Sequence, residues 1–202
     1  MKSLFSILLL LPLSVQIGYS LQNNIETVVS EINSFVIEGT STLHSWDVEA
    51  NEVHIDFMVS PLWFDSMENW DSDDIEQLKV TVPVRELDGG RSRMNRDLRE
   101  AMNEEKYPEI IFSWNSIEIE ETEESSNRDM KVEGTLEIAG VEREIEFSVI
   151  ALLNEEGEME VKGEVEMDME DYGIDPPRAL LGTIRTGNMV TLTFDLAIKR
   201  EE

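Results

Sequence analysis

Cysteine is absent from this 202-residue sequence, and histidine occurs only as His44 and His54. Without thiolates the chain has no disulfide, no cysteine nucleophile and no cysteine-ligated zinc site. The two histidines are not at the short spacing that is typical of zinc ligands. The sequence therefore predicts no metal and no cofactor, and a fold that depends on packing and strand pairing.

Positive charge is also scarce, because 16 lysines and arginines face 44 acidic residues and the formal net charge is −28. Such a chain repels a phosphate backbone, which argues against nucleic acid as a partner. The sequence contains no G-x-S-x-G, H-E-x-x-H, G-x-G-x-x-G or Walker motif. Acidic pairs for glycoside chemistry are too numerous to identify any one, so no enzyme is predicted.

Long apolar runs are confined to the N-terminus. Lys2 precedes the apolar stretch Leu4–Leu13, and Gly18 and Ser20 follow it. This stretch is shorter than the roughly 20 residues that a membrane-spanning helix needs. We therefore expect residues 1–20 to be a signal peptide. The mature protein is then exported, periplasmic or secreted, and has no transmembrane segment.

Alternation with a period of two dominates the rest of the chain. Apolar residues recur at alternate positions in residues 53–59, 78–84, 159–169 and 190–198, and most of the residues between them are polar. Each such strand has one dry and one wet face, which is typical of an antiparallel sheet. We count about nine strand segments, separated by turn signals such as DGG at 88–90 and TGN at 186–188. A sheet of this size hides its dry face by closing into a barrel or folding into a sandwich.

Two stretches lack this alternation. Residues 61–76 mix aromatic and acidic residues without a period, which indicates a loop or a short helical turn. Residues 92–106 place apolar side chains on one helical face, and Pro108 stops the run. Those apolar side chains are Met94, Leu98, Ala101 and Met102.

Half of the ten arginines are concentrated next to this predicted helix. Positive charge at the start of a helix opposes the helix dipole. Asp97 and Glu100 could neutralise it, or the cluster could bind a phosphate or carboxylate, and the sequence leaves both open. The clustered residues are Arg85, Arg91, Arg93, Arg96 and Arg99.

Four segments in order resemble the YceI-like family of polyisoprenoid-binding, lipocalin-like proteins. They are GTSTLHSWDVEA (39–50), MNRDLREAMNEEKYPEIIFSW (94–114), VEGTLEIAGVEREIEF (132–147) and DYGIDPPRALLGTIRTGNMVTLTFDL (171–196). The arginine-bearing helix followed by KYP and a strand is the most telling of them. Residues 60–77 depart from the family pattern, and their aromatics could cover a barrel end or mark a different ligand.

The resemblance implies an all-β fold, an extended eight-stranded antiparallel lipocalin-like barrel with one short α-helix. It also implies a polyisoprenoid or other long-chain amphiphile in an apolar bore, and no catalysis. The expected organisation is a signal peptide (1–20), an N-terminal lead-in (21–32) and a YceI-like barrel domain (33–202). Two alternatives stay open: an enzyme that acts on an isoprenoid-like ligand, and a ligand-free barrel that serves as a protein-interaction module.

The predicted ligand contacts are inward-facing strand residues and two arginines at the mouth of the barrel. On a strand, His44 and Trp46 project to the same face, which favours a role in the cavity wall over one as a catalytic base. Gly134 and Gly163 are expected to make room in the bore. The predicted contacts are His44, Trp46, Phe57, Val82, Arg91, Arg93, Phe112, Trp114, Leu136, Phe147 and Phe194.

Overall fold

The computed structural model describes residues 24–120, 127–176, 178–179 and 184–201, so the predicted signal peptide lies outside the described residues. The α-helix is α1 (Ser92–Ala101). The strands are β1 (Ile25–Ser41), β2 (Ser45–Ala50), β3 (His54–Val59), β4 (Ile75–Pro83), β5 (Leu87–Asp88), β6 (Glu109–Glu120), β7 (Arg128–Ile138), β8 (Val141–Leu153), β9 (Met159–Asp168), β10 (Arg178–Ala179) and β11 (Ile184–Arg200). Short 3₁₀ turns occupy Pro61–Phe64, Met67–Asn69, Ser72–Asp74, Val84–Glu86 and Met169–Tyr172.

Eight of these strands close into an antiparallel barrel in the order β1-β11-β9-β8-β7-β6-β4-β3, and β3 returns to β1. The short strands β2 and β5 extend the wall beside the C-terminal half of β1, where β2 pairs with residues 36–40. The predicted eight-stranded barrel with one short helix is therefore confirmed. Strand β1 begins at Ile25, inside the range predicted as a lead-in.

The dry face of the sheet is the interior of the barrel. In β7, for example, every second residue from Met130 to Ile138, Gly134 included, is buried, while the residues between them are half-buried or exposed. The same alternation in the other strands produces one continuous apolar cluster. Burial of this apolar surface is the main driving force for closing the sheet.

Helix α1 is shorter than the predicted 92–106, because Asn103 adopts a left-handed backbone conformation with a φ of 53°. Asparagine is one of the few residues other than glycine that tolerates this conformation at a helix end. No helix in residues 24–120, 127–176, 178–179 or 184–201 is long and apolar enough to cross a membrane.

Two predicted boundaries are wrong. The TGN signal at 186–188 lies inside β11, where Ser41 pairs with Thr186 and Gly39 pairs with Val190. The three residues between form an irregularity opposite Thr40, so glycine marks a bulge here and not a turn.

The strand that was expected to contain both His44 and Trp46 begins instead at Ser45. The Ser41 hydroxyl accepts a hydrogen bond from the His44 amide at 3.2 Å and donates one to the His44 carbonyl at 2.8 Å. A serine side chain that bonds nearby backbone in this way stabilises a tight turn at the expense of a strand.

Candidate ligand-binding cavity

The barrel encloses two adjoining cavities with volumes of about 370 Å³ and 130 Å³. The larger, outer cavity reaches the surface at one end of the barrel, and the smaller, inner cavity lies deeper. They share five apolar lining residues, which makes them parts of one bore: Ile37, Leu87, Ile110, Ile138 and Met167. The outer volume falls within the range of about 300–1,000 Å³ that is usual for ligand sites.

Helix α1 forms part of the wall of the outer cavity. Its four predicted apolar residues, Met94, Leu98, Ala101 and Met102, all line this cavity. The helix start is tied to β5 because the Asn95 side chain donates to Asp88 at 2.8 Å and accepts from the Gly89 amide at 2.8 Å. The amphipathic pattern of the sequence therefore becomes one side of a binding cavity.

Hydrogen bonds from Asn95 and the Gly90 amide lower the pKa of Asp88 below its ordinary value. The carboxylate is therefore the form that ties α1 to β5.

The β1–β2 turn and the strand after it form another part of the wall of the outer cavity. Gly39 pairs with Trp46 across the two strands, and a side chain at Gly39 would overlap the indole ring. Glycine at this position thus lets the indole lie against β1, where its N–H donates to the Thr40 carbonyl at 3.2 Å. Trp46 and the exposed His44 line the cavity together, although His44 belongs to the turn and not to a strand.

Polar groups collect at the opening of the outer cavity. We define the mouth by Ser41, His44, Arg91, Arg93, Asp97 and Thr186. Deeper in the same cavity the buried Tyr172 contributes a phenol, and burial raises the pKa of that group. The phenol therefore stays protonated at neutral pH and can donate a hydrogen bond into the cavity.

Phenylalanine rings narrow the inner cavity. A Cβ at Gly134 would lie 2.4 Å from the Phe112 ring, and one at Gly163 would lie 2.5 Å from the Phe194 ring. The two glycines do make room, but aromatic rings fill it. Phe147 packs edge-on against Phe112 at 5.4 Å and against Phe194 at 6.3 Å, which are favourable aromatic geometries.

Tryptophans close the other end of the barrel. The 3₁₀ turns between β3 and β4 place Trp63 and Trp70 in a stack with ring centroids 5.3 Å apart, and Phe57 packs edge-on against Trp63 at 5.7 Å. Arg200, at the end of β11, anchors this segment by donating to the Pro61 carbonyl at 3.0 Å and pairing with Asp65 at 2.8 Å. We call this region the closed end.

The structure brings together most of the predicted contact residues. His44, Trp46, Arg91 and Arg93 line the outer cavity. The predicted contacts that line the inner cavity are Val82, Phe112, Leu136, Phe147 and Phe194. Phe57 lies instead at the closed end, and Trp114 is half-buried against the core without lining either cavity. Whether any of these residues contacts a ligand stays a prediction.

Sequence reasoning missed several cavity residues, among them Ile37, Leu87, Met167 and Tyr172. Ile37 and Met167 lie on the apolar faces of β1 and β9, so alternation could have found them. Leu87 follows a 3₁₀ turn and Tyr172 ends one, and neither lies in a periodic run. No sequence signal places those two at the cavity.

Comparison with known proteins identifies the fold. The family model of the YceI-like domain matches residues 24–198. A comparison with curated proteins finds no match.

Several solved structures resemble the barrel. The crystal structure of Burkholderia cenocepacia BcnA has a TM-score of 0.61 and 13% identity, over 81% of this chain and 95% of that one. A polyisoprenoid binding domain from Saccharophagus degradans, implicated in plant cell wall breakdown, has a TM-score of 0.61 and 12% identity, over 88% of this chain and 99% of that one. The Campylobacter jejuni YCEI protein has a TM-score of 0.55 and 15% identity, over 77% of this chain and 84% of that one.

At these identities the solved structures are evidence for the fold alone. The family model, in contrast, covers nearly all of the described barrel, from the residue before β1 to Ile198 in β11. The chain belongs to the YceI-like family.

Proposed function

We propose that this protein binds a long-chain amphiphile, such as a polyisoprenoid, in the bore of the barrel. The observation that carries the proposal is a bore that opens at the mouth and continues into an inner cavity lined by apolar residues. A ligand that enters such a bore has its chain surrounded by apolar side chains and its head left at the mouth. Removal of apolar chain from water stabilises the complex by about 25 cal/mol per Å².

The shape of the bore favours a thin, flexible chain. The inner cavity is lined by apolar residues, and the rings of Phe112, Phe147 and Phe194 leave a volume of about 130 Å³. A rigid, bulky ring system would have to displace these side chains, whereas a single hydrocarbon chain would not. The related domain from Saccharophagus degradans is a polyisoprenoid binding domain, which supports the same class of ligand.

We propose further that the protein is exported to the periplasm or secreted. Lys2, the apolar stretch Leu4–Leu13 and the small residues before Ser20 support this proposal. Expression of the full chain and mass measurement of the mature protein test it. A mature N-terminus close to residue 21 is expected, and a cell-associated protein that retains Lys2 would contradict export.

We propose that the bore binds its ligand without converting it chemically. The hydrogen bonds of His44 with Ser41 run through the His44 backbone, and its exposed ring lines the mouth. As part of the cavity wall, His44 can contact a ligand without transferring a proton to it. The ligand would therefore leave the protein unchanged.

Native mass spectrometry of the purified protein, followed by organic extraction, tests the binding proposal. The expected result is a mass increment that extraction removes and that is identified as a long-chain amphiphile. As a control, the extracted protein is mixed again with a C20 isoprenoid alcohol and should recover a one-to-one complex. Failure to bind any long-chain alcohol, acid or phosphate after extraction would contradict the proposal.

A further inference from the structure

The mouth differs in chemistry from the rest of the bore. Its charged residues are Arg91, Arg93 and Asp97, and among the described lining residues of the outer cavity Asp97 is the one acid. This composition is opposite to that of the chain as a whole, which has a net charge of −28. The positive charge at the mouth is therefore a local feature, and the groups around the mouth must account for it.

The mouth has fewer carboxylates than guanidinium groups. Asp97 is shared, because it lies 3.6 Å from Arg93 and 3.6 Å from Arg96. Arg91 is exposed, and no ion pair or hydrogen bond joins its side chain to another residue of the described barrel. At the mouth, Arg91 and Arg93 therefore have between them one carboxylate, which also pairs with Arg96, and this leaves a surplus of positive charge.

The backbone of α1 adds to this surplus. The helix begins at Ser92 without an acidic residue in its first turn, and the residue before it, Arg91, makes no capping hydrogen bond. The first amides of a helix carry partial positive charge, and an acid or an anion near them is stabilising. Arg91 and Arg93 stand at this helix end and line the cavity, so an anion in the mouth would meet both.

His44 lines the same cavity from the β1–β2 turn, which is a separate element from α1. Its position is held by Ser41, whose hydroxyl bonds both the amide and the carbonyl of His44. An imidazole can donate a hydrogen bond to an oxygen anion in either its neutral or its protonated form. The mouth thus offers donors from two separate elements.

We propose that the mouth binds the anionic head group, a phosphate or a carboxylate, of an amphiphile whose chain occupies the bore. Arg91 and Arg93 contact the anion from the start of α1, and His44 contacts it from the β1–β2 turn. The inference rests on the proposed function, since it concerns the head of the ligand that the bore is proposed to hold. Apolar contact along the chain has no preferred direction, so these charged donors decide which end of the ligand stays at the surface.

Paired ligands that differ only in the head group test the proposal. Calorimetric titration of the extracted protein compares geranylgeranyl monophosphate with geranylgeraniol, and palmitate with hexadecanol. We expect the anion to bind at least tenfold more tightly than the alcohol in at least one pair. The pair with the larger preference identifies the head group as phosphate or carboxylate.

The double variant Arg91→Gln/Arg93→Gln should reduce this preference to less than threefold and leave the affinity for the alcohols unchanged. Arg96→Gln is the matched control, because it removes one positive charge from the same helix at a side chain that does not line the cavity. It should keep most of the preference. Inorganic phosphate alone should compete weakly, because it lacks the chain.

The results that would contradict this inference can be distinguished from those that would contradict the proposed function. Equal affinity of the wild-type protein for both members of both pairs would overturn this inference and leave the binding of a chain intact. Failure of all four ligands to bind would contradict the proposed function and, with it, this inference. Equal losses for anion and alcohol in the double variant, together with a lower melting temperature, would show that the arginines stabilise α1 and not the ligand.

Discussion

The two ends of the barrel differ in how firmly the chain packs there. At the closed end Trp63 is 2% exposed and Trp70 is 8% exposed, and the two rings stack on each other. At the mouth His44, Arg91 and Arg93 are exposed around an open cavity. A structural plug needs dense packing, whereas a ligand entrance needs space and groups that can change partners. Substitutions at the closed end should therefore change stability, and substitutions at the mouth should chiefly change binding.

The largest effect is expected for Trp63→Ala at the closed end. Removal of a buried indole that contacts Phe57 and Trp70 should lower the free energy of unfolding by about 3–5 kcal/mol. Chemical denaturation measures this change. Leu62→Ala is the neighbouring control, because Leu62 is 50% exposed and its removal should lower the free energy of unfolding much less. Equal losses for the two variants would show that the closed end is not a packed plug.

A smaller loss is expected in the wall between the two ends. A Cβ at Gly163 would lie 2.5 Å from the Phe194 ring and 3.0 Å from Val149, so Gly163→Ala should lower the free energy of unfolding by about 1–3 kcal/mol. It should also weaken binding of a C20 isoprenoid alcohol, because the displaced ring moves into the inner cavity. The exposed Ser148→Ala on the outer face of β8 serves as the control. Unchanged stability and unchanged affinity would contradict the narrow bore described above.

In α1, next to the mouth, Asn95→Ala should lower the free energy of unfolding by about 1 kcal/mol, since it removes the two hydrogen bonds that tie α1 to Asp88 and Gly89. Amide hydrogen exchange should become faster in α1 and stay unchanged at Trp63 and Trp70. Glu100→Ala, at an exposed position of the same helix, is the control. Faster exchange at both ends would show that the mouth and the closed end unfold as one unit.

The smallest effect concerns the pH dependence of this same contact. The pKa of Asp88 is lowered in the folded protein, mainly by its hydrogen bond with Asn95. The carboxylate therefore contributes stability that is present above the ordinary pKa of 3.8 and is lost as the pH falls through the lower folded value. Asp88→Asn removes this contribution, so the stability difference between wild type and variant should shrink below pH 3.8. A difference that is constant between pH 7 and pH 3, measured by denaturation, would show that Asp88 does not titrate in this way.

Many of the residues that line the cavity could be predicted from the alternation of apolar and polar residues in the sequence. Alternation places Val82, Leu136 and Phe194 inside any closed sheet that these strands can form, because side chains on a strand face opposite sides in turn. The apolar face of α1 could likewise be read from the spacing of Met94 and Leu98. Trp114 packs against the core without lining either cavity, and the bulge that follows it in β6, between Trp114 and Ser116, is an irregularity that leaves no periodic signal.

Periodicity and composition by themselves determined the one-sided strands, the single helix and the excess of negative charge, since each depends on residues that are near in sequence. Only the tertiary structure decided which end of the barrel is open. The residues of the closed end reach the start of β1 and the end of β11 through long-range contacts, as Arg200 does with Asp65. His44 and the arginines at the start of α1 meet at the mouth for the same reason: the pairing of β2 with β5, and not their spacing, brings residues about 50 positions apart to one opening.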